Sequence, residues 1–254
     1  MQHMALFSSS IANGTILLQV TAVPDPIIAS SGNGLLAPAA LPFLWRAAGV
    51  GTNLTRFQLT SATLRDYAPF DCAPANVGTV LESPLRYLDF SDAPIHFNGV
   101  EEIDVFAVQS NAGAQRETVA VWFVDRAPVQ LQGRCFTMHW TAGTTLVANA
   151  FTAITPVFDN GIPSGTFAVV GSRQLSASAL FHRFIPRGGN PFRPGFPSVQ
   201  AQDGYAFDGS RYTDYVPNWG EALRFTNVTI PQIEIFATAA DASEEGYIDM
   251  IQVA

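Results

Sequence analysis

Apolar positions along this chain recur with the two-residue period of strands or in short unbroken runs, and helical spacing is almost absent. In the first half the pattern predicts strands near residues 14–23, 54–65, 85–90, 102–109 and 118–125, with shorter ones near 41–46 and 94–98. In the second half it predicts them near 133–140, 144–155, 166–170, 174–184, 211–216, 222–228, 231–238 and 246–253. Seven or eight short strands in each ~125 residues, separated by Gly-, Pro- and Asn-rich turns, point to antiparallel sandwiches or barrels.

The two halves also resemble each other. Ile103-Asp104-Val105-Phe106-Ala107 matches Ile233-Glu234-Ile235-Phe236-Ala237 at an offset of 130, and Thr118–Val124 matches Tyr247–Val253 at 129. Arg86–Phe90 matches Arg211–Tyr215 at 125, and Leu59–Leu64 matches Leu175–Leu180 at 116. Gly14-Thr15 and Thr21-Ala22 match Gly143-Thr144 and Thr152-Ala153. The landmarks keep their order, and the offsets change only across loop-like connections, where insertions are tolerated. Two units of this size are too long for a solenoid repeat. The expected organisation is all-β: two tandem antiparallel jelly-roll or β-sandwich domains related by internal duplication, at residues 1–128 and 129–254.

Two features suggest contacts beyond a single domain. The run at 118–124 is apolar on both faces, with Trp122 opposed to Val121 and Phe123, so both faces need cover. The partner domain is the first expectation for that cover and another subunit the second. The connections Pro24 to Pro42 and Pro186 to Gly209 are long, Pro-rich and aperiodic, as interface-forming loops are. Phe192, Arg193 and Phe196 sit in the second of these, where they either pack on their own barrel or meet another subunit. With Trp122 they are the candidate intersubunit contacts.

Composition narrows the chemistry. The net charge is −8, with thirteen Arg and no Lys, which disfavours non-specific nucleic-acid binding and excludes Schiff-base catalysis. Arg183, Arg187 and Arg193 form a small basic group expected to be a solvated loop. Cys72 and Cys135 make neither a disulfide framework nor a zinc site, and a single bridge between them stays open. His3, His96, His139 and His182 show no metal-ligand spacing. No nucleophile elbow, P-loop or dinucleotide fingerprint occurs. The acidic groups Glu101, Glu102, Asp104 and Asp241, Glu244, Glu245 fall at a strand entrance and in a hairpin turn, where solvated charge is expected. No catalytic residue, metal ligand or cofactor is assigned. Met1 to Asn13 lacks the regions of a signal peptide, and no run is long enough to span a bilayer, so a soluble chain is expected.

A duplicated eight-stranded layout with Pro- and aromatic-rich loops resembles the double jelly-roll major capsid proteins of tailless, often membrane-containing viruses and phages. The residues that carry the resemblance are the paired segments Arg86–Phe90 with Arg211–Tyr215, Ile103–Ala107 with Ile233–Ala237, and Thr118–Val124 with Tyr247–Val253. The visible repeat departs from the usual pattern of that family, and at 254 residues the chain would be a small member with short towers. The resemblance implies a non-enzymatic homotrimer forming pseudo-hexagonal capsomers, with other capsid or vertex proteins and a lipid vesicle as further partners. It also implies location in the virion after assembly in the host cytoplasm. The alternative is a tandem β-sandwich carbohydrate-binding or adhesin module stacking sugars on Trp45, Trp140 or Trp219.

Overall fold

The structure, a computed structural model, describes residues 1–64, 75–77, 88–97, 99–127, 129, 131–133, 135–176, 178–200 and 220–253. These residues divide into two compact units, one of His3–Ala127 and one of Pro128–Ala254 with Met1–Gln2. Regular structure among them is strand throughout.

The first unit begins with β1 (Gln2–Ile11), β2 (Leu18–Val20), β3 (Ser30–Ser31) and β4 (Gly34–Leu36). It continues with β5 (Phe43–Gly51), β6 (Leu54–Thr60), β7 (Ala75–Val77), β8 (Leu88–Asp89) and β9 (Ile95–His96). It closes with β10 (Glu102–Gln109) and β11 (Gln115–Val124). One sheet runs β1-β11-β5, and the free edge of β5 is then shared by β7, β8 and β9. The other centres on β10, which pairs antiparallel with β6, β2 and β4.

The second unit holds β12 (Cys135–Ala142), β13 (Phe151–Ile154), β14 (Val157–Phe158), β15 (Thr166–Ser176) and β16 (Ala179–Ile185). After these come β17 (Gly195–Pro197), β18 (Val199–Gln200), β19 (Leu223–Thr226), β20 (Gln232–Ala237) and β21 (Glu244–Gln252). One sheet runs β14-β12-β21-β15, with β18 and β19 on the far edge of β15, and the other runs β13-β20-β16-β17. Within them, β12-β21-β15-β19 and β13-β20-β16-β17 are the two four-stranded rows of a jelly roll, interleaved along the chain as two Greek keys require. The first unit has the same order: β1, β11, β5 and β9 stand where β12, β21, β15 and β19 stand, and β2, β10 and β6 where β13, β20 and β16 stand.

The bulges fix the correspondence residue by residue. In the first unit Trp45 bulges from β5 opposite the Trp122/Phe123 step, and in the second Val170 bulges from β15 opposite Asp249/Met250. Thr55 and Leu180 bulge in the same way at the starts of β6 and β16. Gln109 pairs with Leu54 as Ala237 pairs with Ala179, so Gln109 corresponds to Ala237 and Trp122 to Asp249. The sequence matches of Ile103–Ala107 with Ile233–Ala237 and of Thr118–Val124 with Tyr247–Val253 are therefore each displaced by two residues. A two-residue slip leaves every side chain on its original face, so the apolar pattern cannot detect it. The match of Leu59–Leu64 with Leu175–Leu180 is wrong in kind: Leu59 belongs to β6, whose counterpart is β16, whereas Leu175 belongs to β15. The pairing of Arg86–Phe90 with Arg211–Tyr215 lies largely outside the described residues.

Other sequence expectations shift as well. The N-terminal segment, ahead of the first strand the pattern predicts, is itself a ten-residue strand. The short strand expected at 41–46 runs on to Gly51. The single strand expected at 174–184 is divided between the end of β15, at Ser176, and most of β16, from Ala179.

Each core lies between its two sheets. In the first unit Gly49 of β5 faces Phe57 of β6 so closely that a β-carbon there would stand 2.6 Å from the ring. Phe97 and Phe123 pack at 6.3 Å between ring centroids. From Glu117 to Val124 every residue of β11 is buried, which agrees with the expectation that this run is covered on both faces. Truncation of Phe123 to Ala is expected to cost about 3–5 kcal/mol in urea denaturation, the usual cost of emptying a large buried site. Val228→Ala, at a residue that is 78% exposed, should stay within about 0.5 kcal/mol of the parent.

Candidate functional site

The most unusual chemistry among the described residues lies inside the second jelly roll. On β15, Ser172, Gln174 and Ser176 alternate along one face and point between the sheets, where a jelly roll normally places apolar groups. From the opposite sheet His182 of β16 meets them. Its ring is wholly buried, with Nε2 2.7 Å from the Ser172 hydroxyl and Nδ1 3.1 Å from that of Ser198.

The hydrogen-bond directions follow from one another. Ser198 donates its single proton to Gln174 Oε1 at 2.6 Å, so its oxygen accepts from His182 Nδ1–H. Nε2 is then the acceptor, and Ser172 donates to it. Gln174 Nε2 in turn donates to Glu244 on β21. Burial pushes His182 down to about 3, so the ring is neutral at any physiological pH. Phe196 of β17 stacks on it at 5.9 Å and Phe184 meets it edge-on at 6.2 Å. A buried, neutral ring with a hydroxyl on each nitrogen locks β16 to β15.

A second cluster covers the other face of β16. Arg183, 1% exposed, donates from Nε to Glu234 of β20 at 2.8 Å, and its guanidinium carbon lies 3.8 Å over the Phe151 ring. Arg193 donates to the second oxygen of the same carboxylate. The loop between β16 and β17 is thus pinned by charge onto the sheet it leaves. This corrects the expectation that Arg183, Arg187 and Arg193 form a solvated loop; of the three, Arg187 alone is exposed. The sequence signal was present, since Arg183 stands in an unbroken apolar strand and Glu234 in another, but their partnership depends on register.

A third group lies on the outer face of the other sheet. Asp249 accepts from Thr137 and from Arg173, each at 2.6 Å, and Arg173 lies 5.6 Å from the Tyr247 ring. His139, half-buried, stands between Asp159 at 2.6 Å and Glu245 at 3.5 Å. No group of three or more His, Cys, Asp or Glu among the described residues is arranged to hold a metal.

The four candidate intersubunit side chains are covered within the chain. Trp122 and Phe196 are fully buried, Phe192 is 9% exposed, and Arg193 is engaged with Glu234. For Phe192, Arg193 and Phe196 the geometry shows local packing on their own barrel. The loop instead exposes Arg187, Gly188, Gly189 and Pro191. Trp45 and Trp140, the proposed sugar platforms, are strand residues with no exposed surface, and Trp219 lies outside the described residues. Cys72 is also outside them. Glu244 departs from the expectation of a solvated turn, being 2% exposed.

The Arg183–Glu234–Arg193 cluster predicts asymmetric costs. Glu234→Ala removes the carboxylate that two guanidinium groups share, one of them buried, and is expected to destabilise by about 3–5 kcal/mol in urea denaturation. The double variant Arg183→Met/Glu234→Met removes the buried pair but leaves Arg193 without this carboxylate, so it should recover only part of that loss.

No family model matches the chain, and no curated protein matches it. Among solved structures it is similar to the crystal structure of the major capsid protein P2 from Bacteriophage PM2, at 11% sequence identity, over 100% of this chain and 98% of that one, with a TM-score of 0.23.

Proposed function

We propose that this chain is a structural protein of a viral shell, a bacteriophage-type major capsid protein whose trimers of two-barrel chains form pseudo-hexagonal capsomers. The observation that carries this reading is the shared frame of the two units: one strand order, with bulges at corresponding places, repeated in a single chain. Internal duplication of one barrel, with the division near residue 128, accounts for it.

A hexagonal lattice needs building blocks with near-sixfold outlines. Three chains about a closed three-fold axis supply six like barrels, so each copy meets its neighbours through related surfaces. The exposed tip Arg187, Gly188, Gly189 and Pro191 replaces the aromatic side chains of its loop as the proposed intersubunit contact. Partners are further copies of the chain, other capsid or vertex proteins and a lipid vesicle, with the virion as the location. The −8 charge favours these over a role in gripping nucleic acid.

Native mass spectrometry of the purified protein tests the reading. The expected species is three times the 27.3 kDa chain mass, going on to larger assemblies as concentration rises. A monomer at every concentration overturns it. Because like-charged chains repel, assembly should strengthen between low and moderate salt as the repulsion is screened. Light scattering against ionic strength reads that trend.

A further inference from the structure

Register places one glutamate at the same point of each jelly roll. Glu117 lies opposite Gly51, the last residue of β5, five residues before the step that faces the Trp45 bulge. Glu244 lies beside Ser176, the last residue of β15, five residues before the step that faces the Val170 bulge. Both point between the sheets. Val119 stands opposite Gly49, which faces Phe57 across the core, and Glu117 lies on that same face of β11. Ile248 stands opposite Ser172, which meets His182 across the core, and Glu244 lies on that same face of β21. Glu117 is fully buried and Glu244 is 2% exposed.

The two carboxyls are housed differently, but among the described residues neither has a cation. Both Glu117 oxygens are buried without a hydrogen-bond partner. A β-carbon on Gly51 would fall 1.4 Å from Glu117 Oε2, so the glycine is what makes room for the carboxyl. Glu244 accepts from Gln174 and has Ser176 Oγ 3.5 Å from its other oxygen. The titratable groups facing it are Asp241 of the β20–β21 turn, which shares the Ser176 hydroxyl, and, through Gln174 and Ser198, the neutral His182. Asp241 repels a second charge. Burial pushes Glu117 up to about 8; burial, opposed by the Gln174 hydrogen bond and aided by Asp241, raises Glu244 to about 7.

Both glutamates sit at the same end of their sandwiches. In the first unit Ser110 N–H donates to Asn53 O, tying the β10–β11 turn to the β5–β6 turn. In the second, Thr238 N–H donates to Ser178 O in the corresponding place. An ionised carboxylate cannot remain there without water, and water must enter between the last residues of β5 or β15 and the first of β11 or β21.

We propose that Glu117 and Glu244 form a duplicated proton switch that keeps this end of each barrel closed while they are protonated and opens it when they ionise. The sign follows from linkage. Each group holds its proton more tightly in the folded than in the unfolded state. The stability this gives is fully present below the ordinary glutamate range. It falls as pH rises and is lost once pH passes the folded value, about 8 in the first unit and about 7 in the second. Within that window each glutamate raises its unit's unfolding constant by about tenfold per pH unit.

The test is chemical denaturation of the full chain from pH 5 to pH 9, with hydrogen exchange followed on peptides covering residues 48–57, 110–120, 174–180 and 238–248. Glu117→Gln should flatten the pH dependence of the first unit and protect its two peptides at alkaline pH. Glu244→Gln should do the same for the second unit over a lower pH range. A double variant whose pH profile matches the parent's overturns the proposal. An infrared readout on the unmutated protein is independent of variant folding: a protonated-carboxyl band at pH 6 that disappears by pH 9 is expected, and no such band at pH 6 overturns it.

Discussion

Each unit depends on one strand that has to be paired on both edges. In the first unit this is β11, held between β1 and β5; in the second it is β21, held between β12 and β15. The last strand of each unit in the chain is thus an inner strand of its sheet, so neither sheet closes until its final segment is inserted. From Glu117 to Val124 the demand is complete, since every residue is buried and the interior offers no water to an unpaired amide. β21 meets the same demand with a polar outer row, in which Asp249 is satisfied by Thr137 and Arg173. The two strands solve one geometric problem with different chemistry.

The difference extends through the cores. The first unit packs β5 against β6 with Gly49 directly under the Phe57 ring, and its inward carboxyl, Glu117, lies beside Gly51 at the end of β5. The second spends three β15 positions on Ser172, Gln174 and Ser176 and satisfies them with His182, Ser198 and Glu244. A buried polar chain of this kind is costly when broken and specific when complete, because every member has a fixed partner. Charge pins the outer face of the opposite sheet, where Arg183 and Arg193 share Glu234. Two units with one strand order can differ in this way because strand order and bulges set the frame, while the side chains between the sheets need only be mutually satisfied.

Strand content, two-unit organisation and the exceptional burial of 118–124 were legible from the period of two and from turn residues. The period also limited the reading. A shift of two residues preserves every inside and outside assignment, so the repeat was matched with the right strands in the wrong register at both Ile103–Ala107 and Thr118–Val124. Trp45 and Thr55, the bulged residues that resolve it, have no signature in the letters. β1 was missed because Ser8, Ser9 and Ser10 break its apolar run, although Met4 to Phe7 are buried. Arg183 and Glu244 were read as solvated because charge usually is, and only cross-strand register reveals their partners. Phe192 and Phe196 are buried within their own barrel, a cover that an aromatic residue in a Pro-rich loop does not announce.

Two like frames in one chain lead to the central claim, that both occupy equivalent positions in a larger symmetric object. Electron cryo-microscopy of the assembled protein tests it most directly. The account predicts a three-fold particle whose projection shows six lobes of similar size at near-sixty-degree spacing. A particle in which one unit of each chain lies on the ring and the other projects away from it would contradict the account.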